Sequence, residues 1–292
     1  MFLSPQPLSE KSISPRTLLF LGLCIVSFIL FRVRWIGHLL TWDEAMNLCS
    51  IRSFVSPGTD VFSFWFWRHP PLLFFFSLPL GPLTAGFAER VELLSVLVGV
   101  VTLGMLFLLN REVFGERVAL WSCFVLSVLP SSMFYDVWFK RDAPVAALGL
   151  AAILLVAKRR PFLAGFCLGG ALLAKETGVF YVGAALLMWL MTSRRNRWRD
   201  AAGMLLIVLA VAGWWYLGVK SNVDGVVSEA ATPGEATGLL VRLVAGVAEH
   251  FQFATGADRW AANWTGEWHY YLSRLPHDLG WVGFLLAAAG VI

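Results

Sequence analysis

Residues 91–109 read VELLSVLVGVVTLGMLFLL, an apolar stretch whose charge is confined to Glu92 near one end. At about 1.5 Å per residue, a helix of that length reaches across most of a hydrocarbon core about 30 Å thick. The apolar residues fall on every face. The stretch therefore lacks the alternation of a membrane barrel strand and the one-sided stripe of a soluble surface helix. Similar runs recur near 17–36, 118–135, 143–157, 162–174, 179–192, 201–219 and 279–292. The composition agrees: 58% of the 292 residues are hydrophobic and 14% charged, with a mean hydropathy of +0.70. A soluble globule is excluded, since such domains carry about 25% charged residues. The fold class is all-α, a polytopic helical membrane protein of about eight spans.

The net charge of +4 matters less than its placement. Nine of the 23 Lys and Arg sit in three short links, 110–117, 158–161 and 193–200. The positive-inside rule puts those links in the cytoplasm and turns 38–90, 136–142, 175–178 and 220–278 to the other side. Lys11 and Arg16 precede the first run, which ends in Phe31-Arg32-Val33-Arg34-Trp35 rather than at small residues; this reads as an uncleaved first span. The organisation is then a cytoplasmic amino terminus over 1–16, a transmembrane core over 17–220 that includes the outer loop 38–90, a second outer loop over 221–278, and a further span beginning at 279–292. That last run stops without a polar flank, so a truncated chain is expected. Residues 71–87, broken by Pro79, Gly81, Pro82 and Gly86, are expected to lie in the interface. Trp260, Trp264 and Trp268 share one helix face, suiting an aromatic belt or a sugar-stacking surface. Cys24, Cys123 and Cys167 lie inside apolar runs and Cys49 stands alone, so no disulfide framework is implied.

The run from Phe162 to Met191 breaks at Lys175-Glu176-Thr177-Gly178, too soon for the first half to cross a bilayer at about 1.5 Å per residue. Charged residues at that depth need a polar or water-filled cavity. Asp43, Glu44, Arg68, His69, Lys140, Arg141, Asp142, Lys175 and Glu176 all fall at or beneath the outer face. Cations there suit a lipid phosphate, which they would hold and whose growing charge as a leaving group they would stabilise. A carboxylate beside them can take the proton of an attacking hydroxyl. Several of these residues also have a structural reading. Thr41-x-x-Glu44 is a capping box, Asp142 before Ala143-Pro144 is a helix cap, His69-Pro70-Pro71 starts a helix, and Lys175 pairs with Glu176.

Arg32 or Arg34, then Gly37 and Thr41-Trp42-Asp43-Glu44-Ala45, resemble the first span end and first-loop acidic motif of the lipid-phosphate-sugar glycosyltransferases. That family includes protein O-mannosyltransferases and the aminoarabinose transferases acting on lipid A, which share the C-type (GT-C) fold. His69-Pro70-Pro71-Leu72, Glu89-Arg90 with Leu94-Ser95, Phe114-Gly115, Arg141-Asp142 and Ala174-Lys175-Glu176-Thr177-Gly178 follow in family order, over about residues 30–190. Arg68-His69 stands where the aminoarabinose transferases have a Glu-Lys pair, which is closer to the mannosyltransferase-like branch. The resemblance implies Asp43 as catalytic base and Glu44 as its neighbour in handling acceptor or donor. Arg68, His69, Arg141, Asp142, Lys175 and Glu176 would bind substrate. It implies a polyprenyl-phosphate-sugar donor, a protein, lipid or glycan acceptor, an inverting transfer, and a site facing the extracytoplasmic or luminal side, in the plasma (inner) membrane if the source is a prokaryote. Nucleic acid is not an expected partner. No cofactor is expected, although Asp43, Glu44 and Asp142 could hold a divalent cation. Two rival readings are a lipid-linked sugar flippase, which predicts polar groups along the whole path, and an inactive member serving as an assembly subunit.

Overall fold

The computed structural model describes residues 13–37, 42–55, 70–129, 132–133, 136–137, 140–192 and 197–216; the side chains of Trp42, Asp43, Met46, Ser53 and Phe54 are not among them. The described residues form α1 (Pro15–Val33), α2 (Trp42–Val55), α3 (Leu72–Ser77), one 3₁₀ turn (Leu78–Leu80), α4 (Phe87–Val113), α5 (Glu116–Val128), α6 (Asp142–Ala157), α7 (Pro161–Ala174), α8 (Gly178–Thr192) and α9 (Arg197–Gly213). No strand occurs among them. Seven of the predicted apolar runs are thus helices. The run at 279–292, the loop 221–278 and the three spaced tryptophans lie outside the described residues.

Local chemistry sets the helix ends. Ser14 caps α1, its hydroxyl accepting from Thr17 N–H at 3.1 Å, with Pro15 pre-shaped for the first turn. At the end of α6, Arg159 takes φ +58. Its N–H donates to Val156 O, and Arg160 N–H reaches back to Leu155 O at 2.8 Å. These are the two bonds of a Schellman ending, here with an arginine where glycine is usual. Pro161 then opens α7.

The helices pack as two groups. In one, α1, α4 and α5 enclose Cys24, Phe28, Val96, Leu103, Phe107 and Cys123. In the other, α6 to α9 enclose Ala152, Leu168, Val182, Trp189, Met204 and Val208. Packing of α4 against α6 joins them. Gly165 and Gly169 let α7 approach α9 closely: a methyl on Gly165 would lie 2.7 Å from Met204 O, and one on Gly169 would lie 2.6 Å from Val211 Cβ. This is small-residue packing one helical turn apart, as membrane helices use.

Among the described residues, three segments are long and apolar enough to cross a membrane, Pro15–Val33, Phe87–Val113 and Arg197–Tyr216, and α6, α7 and α8 are shorter apolar helices. The outward faces carry Leu19, Leu23, Leu30, Phe180, Leu187, Leu206 and Leu209, all exposed. Contiguous apolar surface of this extent belongs against lipid. The protein is an integral membrane protein.

Candidate functional site

The 140–142 and 175–178 turns stand at one end of the bundle, opposite the basic turns 110–117 and 158–161. At that end α2 and α3 pack onto the bundle. Leu48 and Ile51 of α2 pack with Leu73 and Phe74 of α3 and with Phe87 and Val91 of α4. Glu44, Leu48 and Ile51 are all buried, at the spacing that places them on one helix face. Leu72 of α3 packs against the group formed by Leu173, Ala212 and Trp215. The buried prolines Pro70 and Pro71 start α3, with Phe75 N–H bonded to Pro71 O at 3.1 Å. Pro70-Pro71-Leu72 therefore lies at the end of the bundle that carries Lys175.

The acidic helix is tied to the next predicted element by a direct bond: Arg141 Nη2 donates to Asn47 Oδ1 at 2.7 Å. Asp43 stands one turn ahead of Asn47 along α2. Glu44 is fully buried. The Asp43 side chain, Thr41 with its half of the capping box, Arg68 and His69 all lie outside the described residues.

Lys175 does not take the expected partner. Its Nζ donates to Asp142 Oδ1 at 2.7 Å, joining the α7–α8 turn to the start of α6. Asp142 is correspondingly not a helix cap: Arg141 occupies that position, without a side-chain capping bond. The physical reason is that the shortness of α7 leaves Lys175 level with the first turn of α6. At that level the Asp142 carboxylate lies within hydrogen-bond reach of the ammonium. Lys175 and Asp142 are 34% and 42% exposed, so the pair is open to an incoming group. Glu176 sits half-buried in the same turn. The turn is clamped from two sides. Gly178 lies so close to α7 that an added methyl would meet Ala171 C and Leu172 N, both at 2.7 Å. Tyr216 Oη donates to Leu172 O at 2.9 Å.

Two further groups support this end, and sequence reasoning assigned neither a partner. Arg32 is fully buried. Its Nε donates to Asp136 Oδ2 at 2.9 Å, Nη1 to the carbonyls of Phe28 and Ser127, and Nη2 to the carbonyl of Leu126 and to Ser132 Oγ. All of the guanidinium's donors are thus used. They gather the open carbonyls at the end of α5 and hold the segment that precedes Arg141. The second group is Glu92, 1% exposed, whose Oε2 accepts from Gly37 N–H at 2.6 Å. The signal that would have found both is a charge set inside an apolar run, which in a membrane protein faces the protein interior by default. Arg90 of the Glu89-Arg90 motif holds its own neighbourhood together, donating to the carbonyls of Leu80, Gly81 and Ala85 and to Thr84 Oγ1.

Among the described residues, no group of three His, Cys, Asp or Glu side chains converges as metal ligands do. The turns bring together an arginine, a lysine and an aspartate beside the helix that carries Asp43 and Glu44. Such a set can grip an anion with its cations, and the carboxyl groups can accept a proton.

The architecture is that of GT-C membrane glycosyltransferases. It matches the structure of the S. cerevisiae protein O-mannosyltransferase Pmt1-Pmt2 complex bound to the sugar donor, with a TM-score of 0.50 and 18% identity over 76% of this chain and 35% of that one. It also matches the Archaeoglobus fulgidus oligosaccharyltransferase in the apo form, with a TM-score of 0.51 and 16% identity over 89% of this chain and 36% of that one. The chain thus spans about a third of the length of these proteins. No curated protein sequence matches it significantly. The sequence model of the dolichyl-phosphate-mannose-protein mannosyltransferase family matches residues 68–216, just over half of the chain, and the chain belongs to that family.

Proposed function

We propose that the protein transfers a sugar from a polyprenyl-phosphate-linked donor to an acceptor hydroxyl, on the extracytoplasmic side of the membrane. Asp43 acts as the base, and Arg141 and Lys175 receive the phosphate. The observation that carries the reading is the bond from Arg141 to Asn47, which ties the helix of Asp43 to the turn beside the Lys175–Asp142 pair. The family membership supports a sugar donor carried on a lipid phosphate.

In this scheme the acceptor hydroxyl attacks the anomeric carbon as Asp43 takes its proton. The bond from that carbon to the phosphate oxygen breaks, and the electron pair leaves with the phosphate. Negative charge therefore grows where the cations stand, and their contacts strengthen toward the transition state, which is the condition for catalysis rather than mere binding. The tail of the donor lies in lipid against the apolar flanks of the bundle, and the shortness of α7 sets the depth at which its head group meets Lys175. Glu44, buried beside Asp43, shapes acceptor or donor handling from within α2. Arg68, His69 and Glu176 complete the substrate contacts. The donor sugar and the class of acceptor follow from assaying a panel of both. Asp43→Asn in the full-length protein tests the base: turnover should fall by about 10² to 10⁴ with donor affinity retained. Near-normal turnover in that variant would refute the assignment.

A further inference from the structure

The chain leading into the acidic helix is held by a carboxyl group that the transfer scheme does not use. Beyond Val33 the backbone turns, with Trp35 N–H on Arg32 O at 2.9 Å and Ile36 N–H on Val33 O at 3.2 Å. Gly37 follows with φ +78, a conformation open to glycine and costly for residues with a Cβ. In that conformation its N–H meets Glu92 Oε2 at 2.6 Å, across 55 positions of sequence. Glu92 belongs to α4, next to Val91, which packs with Leu48 and Ile51 of α2. It is 1% exposed, and Glu44 of α2 is fully buried as well, with its carboxyl group within electrostatic reach of Glu92. Two carboxyl groups enclosed near each other in a membrane bundle are unfavourable by themselves. An apolar residue would fill the position at lower cost, but it would leave the Gly37 N–H without this acceptor.

We propose that Glu92 is a positioning residue: by fixing Gly37 just ahead of α2, it sets the seating of the acidic helix on α3 and α4, and so the place of Asp43. Its effect on turnover rests on the reading of Asp43 as base; its effect on the seating of α2 does not. The hydrogen bond, rather than the charge, is what the position supplies. A glutamine, whose amide oxygen also accepts, should therefore replace Glu92, and a leucine of similar size should not.

The test compares Glu92→Gln and Glu92→Leu in the full-length membrane-embedded protein, in a Cys49→Ser, Leu48→Cys background. Leu48 is 7% exposed at the seat of α2, so a maleimide reacts slowly there while the helix is seated. Glu92→Gln should keep that protection and stay within about threefold of parent turnover. Glu92→Leu should raise the labelling rate about tenfold or more and lower kcat by about 10- to 100-fold with donor KM little changed, since misplacing a catalytic group costs rate more than binding. Gly37→Ala, which keeps the N–H but strains its conformation, should reproduce the labelling change even if Glu92→Leu fails to accumulate. Protection and kcat both unchanged in Glu92→Leu would overturn the proposal. So would a glutamine variant that loses as much turnover as leucine while position 48 stays protected, because the charge would then be the requirement. If Asp43→Asn proves active while the labelling pattern holds, the reading of Asp43 fails and the positioning of α2 stands.

Discussion

Gly178→Ala tests the geometry of the cationic turn at one atom. The added methyl would lie 2.7 Å from Ala171 C and Leu172 N and 2.8 Å from Ala171 O. These are backbone atoms of α7, which no side-chain rotation can move aside. Restoring an ordinary contact of about 3.4 Å requires α7 and the start of α8 to part by about 0.7 Å. Overpacking of this kind costs about 1–3 kcal/mol, which a bundle of this size survives. The strain falls on Lys175-Glu176-Thr177, the connection between the two helices, and so on the 2.7 Å bond from Lys175 to Asp142. A displacement approaching 1 Å at a reacting group costs about 10²-fold in rate. The expected result is therefore a fall in turnover of about 10- to 100-fold with the protein still folded. The assay is sugar transfer by the purified full-length protein in lipid nanodiscs, with monodispersity and thermal stability measured on the same preparation. Gly183, on the same helix, has no atom beyond its own helical turn and chain neighbours within 4 Å of where a methyl would go, and Gly183→Ala should keep parent activity. If Gly178→Ala works as well as Gly183→Ala, the turn does not set the position of Lys175 and the argument fails.

Arg32→Met should destabilise the protein by about 3–5 kcal/mol, because it strands Asp136 and removes donors from the carbonyls closing α5; thermal unfolding in detergent measures it, and unaltered stability would contradict the buried network. Arg32→Lys should recover little of the loss, since an ammonium has fewer donors and no planar fork. Lys175→Met should lower turnover by about 10², and adding Asp142→Asn should not restore it. Recovery in that double variant would show that Lys175 serves only to pair with Asp142. Arg141→Lys should also impair transfer, because the charge remains while the geometry that reaches Asn47 and a phosphate together is lost.

Much of the fold was legible because membrane helices announce themselves by composition. The runs at 143–157, 162–174 and 179–192 became α6, α7 and α8 within a residue or two at each end, since Pro161 and the Lys175–Gly178 break punctuate them. The early break at Lys175 falls at a bundle end, where the structure places the Lys175–Asp142 pair. The partners did not follow from sequence. Lys175 has Glu176 beside it in the chain, but which charge it meets depends on the depth of α7 relative to α6, and that comes from the shortness of α7 and from its packing on α6, where Gly170 meets Leu148. Arg32 and Asp136 lie 104 positions apart, and Glu92 and Gly37 lie 55 apart. Periodicity speaks of neighbours a turn away and carries no information about such pairs. Arg90 shows the converse: a motif residue noticed for its place in the family order turns out to hold a local loop closed.

The most direct test of the central claim is to reconstitute the full-length protein in proteoliposomes with a polyprenyl-phosphate sugar and an acceptor, and to follow glycoside product and free polyprenyl phosphate together. The account predicts that each sugar transferred releases one polyprenyl phosphate, on the face bearing the 140–142 and 175–178 turns, and that Asp43→Asn lowers both signals in step by about 10²-fold or more. Movement of intact donor across the bilayer without product, unaffected by Asp43→Asn, would contradict it and identify a carrier instead of a transferase.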